Sequence, residues 1–114
     1  MKYMLLLADD PSAAPTTQAD GEKVLADYNA FTQGIIDSKE MVAGDRLATV
    51  DAATSVRVRG GKTATVDGPF AETKEHLGGF YIVDVSDLDR AIELAAKIPA
   101  AHTGVVEIRP IWEM

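Results

Sequence analysis

The chain of 114 residues contains no cysteine. Disulfides, thiolate metal sites and cysteine nucleophiles are thereby excluded. The absence is compatible with a reducing cytoplasm, where we expect the protein to reside. Basic residues are outnumbered: 11 Lys and Arg stand against 18 Asp and Glu, a net charge of −7. An acidic surface argues against nucleic acid as a partner, because phosphates need cations to neutralise them. The basic residues also gather on no single predicted face. Histidine is scarce, with only His76 and His102, and no His/Asp/Glu cluster has metal-ligand spacing, so no metal is expected. The glycine pairs Gly60-Gly61 and Gly78-Gly79 lack the context of a phosphate-binding loop, and no cofactor is expected. None of Ser12, Ser38, Ser55 and Ser86 lies in a nucleophile elbow, and Ser86 reads better as a helix cap. Long apolar runs are missing too. Only six apolar residues stand between Lys2 and Asp9-Asp10, which is short for a signal-peptide core, and nothing approaches a transmembrane span. We expect no membrane association.

What is present is ordinary for a globular protein: 46% hydrophobic and 25% charged residues, in a length that suits one domain spanning 1–114. Residues 2–8 form a nearly continuous apolar run and read as a strand buried on both faces. The loop 9–20 holds Pro11 and Pro15, and Thr17 with Asp20 forms a weak capping box. Val24, Tyr28, Phe31 and Ile35 then recur at helical spacing over about 18–38, with Leu25 and Ile36 widening the stripe. Gly34 within this helix reads as a point of close packing against the sheet. Residues 41–48 read as a second strand with a bulge at Gly44. Residues 55–59 and 62–66 alternate with period two around Gly60-Gly61, a hairpin that lies at a sheet edge or projects from it. Residues 79–85 are a further apolar strand. Ser86 with Asp89 marks a helix start, and Leu88, Ala91, Ile92, Ala95 and Ile98 share one face of a helix over 87–98, ended by Pro99. Residues 104–112 form the last strand, which Pro110 confines to an edge or to its own end.

The densest stretch runs from Val66 to Tyr81. Asp67-Gly68-Pro69 combines three turn formers, and Glu72, Lys74, Glu75 and His76 follow closely. With the hairpin set aside, the element order is β-α-β-β-α-β, the split βαβ plan of an α+β, ferredoxin-like fold with an antiparallel sheet. Both helices then cover one sheet face. The other face is also apolar, and pairing with a second copy, sheet to sheet, is the simplest way to bury it. We expect a homodimer with a cavity between the sheets.

The residues also carry a family likeness. Met1 to Leu6, Val56-Arg57-Val58-Arg59, Asp67-Gly68-Pro69-Phe70-Ala71-Glu72-Thr73-Lys74-Glu75, Leu77 to Tyr81, Asp87-Leu88-Asp89 and Val106 to Pro110 resemble the YCII-related proteins, in particular their DGPF branch. The resemblance covers nearly the whole chain and implies a dimeric α+β barrel. It implies small bacterial proteins without a settled activity, some encoded near extracytoplasmic-function sigma factors. Another branch is proposed to use a His–Asp pair. This chain has no His in the loop 9–20, so such a pair near the first helix is unavailable.

The candidate site follows from the dense stretch. Asp67 closes a turn or, at the mouth of a dimer cavity, acts as a general base. His76 is the second acid–base candidate, and on a loop it equally suits a surface position. Glu72, Lys74 and Glu75 form a solvated loop, or Lys74 pairs with Glu72 or Asp67 and anchors an anionic ligand. Arg109 shares a face with Glu107, as an ion pair or as a ligand contact. His102 suits pairing with a helix end, and Phe70 and Tyr81 suit the core or a dimer interface. Two functions compete: a non-catalytic ligand-binding or regulatory module, which we favour, and a small-molecule enzyme with acid–base chemistry centred on Asp67.

Overall fold

Tyr3, Leu5 and Leu7 all point to one side of a strand, since side chains alternate along it. They are buried, while Met4, Leu6 and Ala8 on the other side are half-buried. This strand, β1 (Lys2–Asp9), is central in the computed structural model, which describes residues 1–113. It is followed by α1 (Gln18–Asp37), β2 (Met41–Arg46), the hairpin β3 (Thr54–Arg59) and β4 (Lys62–Asp67), β5 (His76–Asp84), α2 (Leu88–Ala95), the short α3 (Ala100–Thr103) and β6 (Gly104–Pro110). The main sheet has the order β2-β5-β1-β6 with antiparallel pairing throughout. This is the expected ferredoxin-like plan. Pro110 ends the edge strand β6, where its missing N–H breaks no ladder.

The core lies between the sheet and the helices. Phe31 and Ile35 of α1, Ala91 and Leu94 of α2, and Ile98 pack onto Tyr3, Leu5, Tyr81 and Val83. Phe31 and Tyr81 meet edge to face, with ring centroids 5.2 Å apart. Among the described residues, nothing covers the second sheet face. There the register aligns Met4 with Ile82 and Leu6 with Phe80, all half-buried. The expected burial of β1 on both faces is thus fulfilled on one face and partial on the other.

The helix faces depart from expectation in detail. Thr17 caps α1, accepting from the Asp20 amide at 3.1 Å, and Lys23 pairs with Asp27. Leu25 and Ile36 are about half exposed, because one step along a helix rotates a side chain about 100° off the buried stripe. A Cβ at Gly34 would meet nothing within 4 Å, so close packing is not its reason. α2 is capped by Asp87, not Ser86: its carboxylate accepts from the Arg90 amide at 2.9 Å. The buried face is Ala91, Leu94, Ala95 and Ile98, with Leu88 and Ile92 half exposed. α2 ends before Pro99, which instead stands at the N-cap of α3.

The bulge in β2 falls at Val42, where the register with β5 shifts, and not at Gly44. Gly44 serves close approach: a Cβ there would lie 2.8 Å from the Tyr81 ring. The hairpin forms a separate two-stranded sheet, turned by Gly60 (φ 58°) and Gly61 (φ 76°), and both strands are exposed along nearly their full length. Its register corrects the reading of the basic residues. Arg57 faces Ala64 and Arg59 faces Lys62, so three cations share one face of the ribbon. Across the described residues the chain measures 48 × 45 × 18 Å with a radius of gyration of 16.0 Å.

Candidate functional site

The Asp67-Gly68-Pro69 turn is built by backbone chemistry. Gly68 adopts φ 106°, open to glycine, and its N–H donates to the Ala53 carbonyl at 2.7 Å. The Ser55 hydroxyl donates to the Gly68 carbonyl, also at 2.7 Å. The turn is therefore tied to the first strand of the hairpin it follows, and the Asp67 carboxylate takes no part in closing it. Phe70 is 84% exposed and belongs to no core.

The other predicted site residues disperse within the chain. Glu72 is exposed. Lys74 Nζ lies 3.6 Å from Asp10 Oδ2, so its partner is neither Glu72 nor Asp67. The Ser12 amide and hydroxyl, with Lys74 beyond them, hold the Asp10 carboxyl below its usual range. His76 is not on a loop: it begins β5, and the register sets it opposite Asp9 of β1. Arg109 forms its ion pair with Glu107 on β6. His102 Nε2 bonds the Ala96 carbonyl at 2.9 Å, at the C-terminal end of α2. Tyr81 is in the core.

The side chains that do converge surround a cavity of about 660 Å³ between α1 and the sheet, near the ends of β1 and β2. Its walls are mainly apolar, with Leu7, Val24, Leu25 and Met41 among them. Thr32 and Tyr81 share a hydroxyl–hydroxyl bond of 2.7 Å on one wall. Tyr28 is half-buried on the helix beside them. Burial, reinforced by the Asp9 carboxylate, raises its phenol above the ordinary tyrosine value, so the group stays protonated and can donate. Asp9, Asp45 and Arg46 stand where the strands end, and Asp9 is fixed by the Thr103 hydroxyl at 2.5 Å. Such a mixture of apolar wall and few convergent polar groups is the usual make-up of a small-molecule site. None of Asp67, Glu72, Lys74, His76 and Arg109 lines it.

A second depression of about 670 Å³ runs between α1 and α2. Its polar groups are largely engaged with one another: Arg90 bonds Glu40 and Glu93, and His102 bonds Ala96. That arrangement braces the helices and leaves less to offer a ligand. Among the described residues no three His, Asp or Glu side chains group to hold a metal, and no helix is long and apolar enough to cross a membrane.

Sequence reasoning assigned Tyr28 to the core stripe and left Thr32, Asp9, Asp45 and Arg46 without a role. The signal available was Tyr28 and Thr32 at i, i+4: hydroxyls on the margin of an otherwise apolar helix face.

The comparisons with known proteins agree with this architecture. The family model described as the YCII-related domain matches residues 1–114. An uncharacterized protein of Rhizobium meliloti (strain 1021) is 35% identical over 114 residues, covering 97% of this chain and 92% of that protein. Among solved structures, 5-chloro-2-hydroxyhydroquinone dehydrochlorinase (TftG) of Burkholderia phenoliruptrix AC1100, in complex with 2,5-dihydroxybenzoquinone, superposes with a TM-score of 0.52. That alignment covers 99% of this chain and 94% of the other, and at 14% identity the likeness is one of fold. The full-length domain match and the Rhizobium relative carry the assignment: the chain belongs to the YCII-related family.

Proposed function

We propose that this protein is a dimeric ligand-binding or regulatory module whose ligand is a small organic molecule held in the cavity between α1 and the sheet. The observation that carries the reading is the convergence of Tyr28, the Thr32–Tyr81 hydroxyl pair and Arg46 on an apolar-walled space of about 660 Å³. Hydroxyl donors and one guanidinium over apolar walls suit a ring-sized molecule bearing hydroxyl or carbonyl groups. The dehydrochlorinase of related fold is in complex with 2,5-dihydroxybenzoquinone, a compound of that kind, which makes a sensible first probe. The dimer is proposed for the uncovered sheet face, whose apolar rows are costly to leave in water.

The test is calorimetry with 2,5-dihydroxybenzoquinone and a panel of hydroxybenzoates on the wild type and on Gly21→Leu. Gly21 lines the cavity from within α1, and a Cβ there meets nothing within 4 Å. Leucine fills that space and is also the better helix former by about 0.5–1 kcal/mol. Binding to the wild type, lost in a Gly21→Leu variant of equal or higher melting temperature, supports the cavity. Undiminished binding in the variant, or no binding by any of the panel, overturns it. The alternative, acid–base catalysis centred on Asp67, has a weaker footing, since Asp67 lies off the cavity of its own protomer. Turnover that Asp67→Asn abolishes would reinstate it.

A further inference from the structure

We infer that Arg46 anchors the ligand of the cavity between α1 and the sheet, and that this ligand is a flat organic anion whose carboxylate pairs with the guanidinium at the mouth. The inference rests on the small-molecule reading of that cavity and adds the charge and shape of what it holds.

The register of β2 supplies the first argument. Side chains alternate along a strand, and Gly44 lies on the Tyr81 side, toward the helices. Arg46, two residues on, shares that side, and its register partner Gly79 has no side chain to crowd it. Asp45 falls on the opposite side with its register partner Phe80, so its carboxylate faces away from Arg46. Arg46 is exposed, and among the described residues it enters no ion pair, whereas Arg90 and Arg109 each have a carboxylate partner. Among the described residues that line the cavity, Arg46 is the one cation.

The remaining polar groups suit the same ligand. Tyr28 keeps its proton: burial first, then Asp9, raise its phenol, while the Arg46 guanidinium acts in the opposite sense and so shares its surroundings. In the Thr32–Tyr81 pair one proton is spent between the two oxygens and the other is left to donate. Asp9 is the carboxylate nearest in kind to a competitor. It stands on β1, two strand spacings or about 10 Å from β2, beyond a Debye length of about 8 Å, and the Thr103 hydroxyl already occupies one of its oxygens. The cavity thus offers donors and a cation to a molecule rich in acceptor oxygens.

Shape follows from glycine. Gly21 of α1 and Gly78 of β5 both line the cavity, and a Cβ at either would meet nothing within 4 Å. Neither has φ in the left-handed region. Packing and backbone conformation within the chain therefore give no reason for glycine at these two places, and in a helix glycine is less stable than alanine. With Gly44 and Gly79 beside it, Gly78 completes a strip of sheet bare of side chains, where a flat ring can approach the backbone closely. The charge is limited by the same lining. One guanidinium matches the two oxygens of one carboxylate. A phosphate ester or nucleotide would bring further charge to a chain of net −7 with no second cation in the cavity to meet it.

The experiment is calorimetry with matched pairs: ortho-, meta- and para-hydroxybenzoate, each against the corresponding hydroxybenzamide, which keeps the shape and the hydroxyl but not the charge. The wild type is expected to bind its best benzoate at least about tenfold more tightly than the matching amide. Arg46→Gln is expected to lose that preference, weakening the benzoate about tenfold or more and the amide by less than about threefold. Its melting curve should match the wild type, since the side chain it replaces is exposed and unpaired. Equal affinity of the wild type for benzoates and amides, or a preference intact in Arg46→Gln, overturns the anchor and leaves the cavity as a site for neutral molecules. A preference lost in Arg46→Gln while Gly21→Leu binds the benzoates as the wild type does places the anion outside the cavity and overturns both readings. Absence of binding by every benzoate and amide overturns the anchor, and the cavity is then judged on the quinone alone.

Discussion

Glu40 follows α1 directly and accepts two hydrogen bonds from the Arg90 guanidinium at 2.8 Å each, with a third from Ser38 at 2.7 Å. Arg90 foremost, then Ser38, hold its carboxyl down from 4.5 to about 2. A carboxyl whose folded pKa is depressed contributes stability that is fully present above its unfolded value and lost as pH falls through the folded one. The contribution of Glu40 therefore fades between about pH 4.5 and about 2. Glu40→Gln is expected to lower stability at pH 7 by about 1–3 kcal/mol, the range of a charge-assisted bond. Chemical denaturation repeated down to low pH should show the difference from wild type closing across that window; a constant difference would mean the ion pair is not its source. Glycines on two elements separate in the same way. Gly34→Ala on α1 enters open space and should stabilise by about 1 kcal/mol. Gly44→Ala should destabilise, because its methyl would meet the Tyr81 ring at 2.8 Å and the Phe80 carbonyl at 3.1 Å. Matched melting curves of the two variants decide both.

The elements show what patterning carries and where it ends. β1, α1, the hairpin, β5 and β6 were legible because their signals are local: an apolar run, a helical stripe, strict alternation about Gly-Gly, and a terminal Pro110. The start of α2 was misread by one residue, since Ser86 and Asp87 are both good caps and only backbone geometry chooses between them. Asp87→Ala should accordingly lower stability by about 1 kcal/mol while Ser86→Ala changes it little, and the reverse order in urea titrations would restore the earlier assignment. The cavity was not legible because its lining comes from β1, α1, β2 and β5 together. No window along the chain contains it. The Asp67–His76 stretch, by contrast, was conspicuous in sequence because it identifies the family and builds a turn, and those roles say nothing about where a ligand sits. What the register adds is His76 beside Asp9 at the sheet end, a neighbourhood that sequence spacing of 67 residues hid.

At the scale of the whole molecule, one helix layer covers one side of a four-stranded sheet and a ribbon stands clear of both. If a second copy supplies the missing layer, folding and association are one equilibrium. The thermal midpoint should then rise with protein concentration, since mass action favours the assembled native state. Scanning calorimetry over a wide concentration range would show it; a midpoint independent of concentration would argue for a self-sufficient monomer. The thinness of the protomer also bears on how such a measurement is set up. A body only 18 Å deep with a radius of gyration of 16.0 Å has the girth of a compact chain of about 185 residues. A lone protomer would therefore leave a gel-filtration column early, at an apparent mass between those of one copy and two. Elution volume is a poor judge for this shape, and the copy number is better read from scattered intensity or buoyant mass.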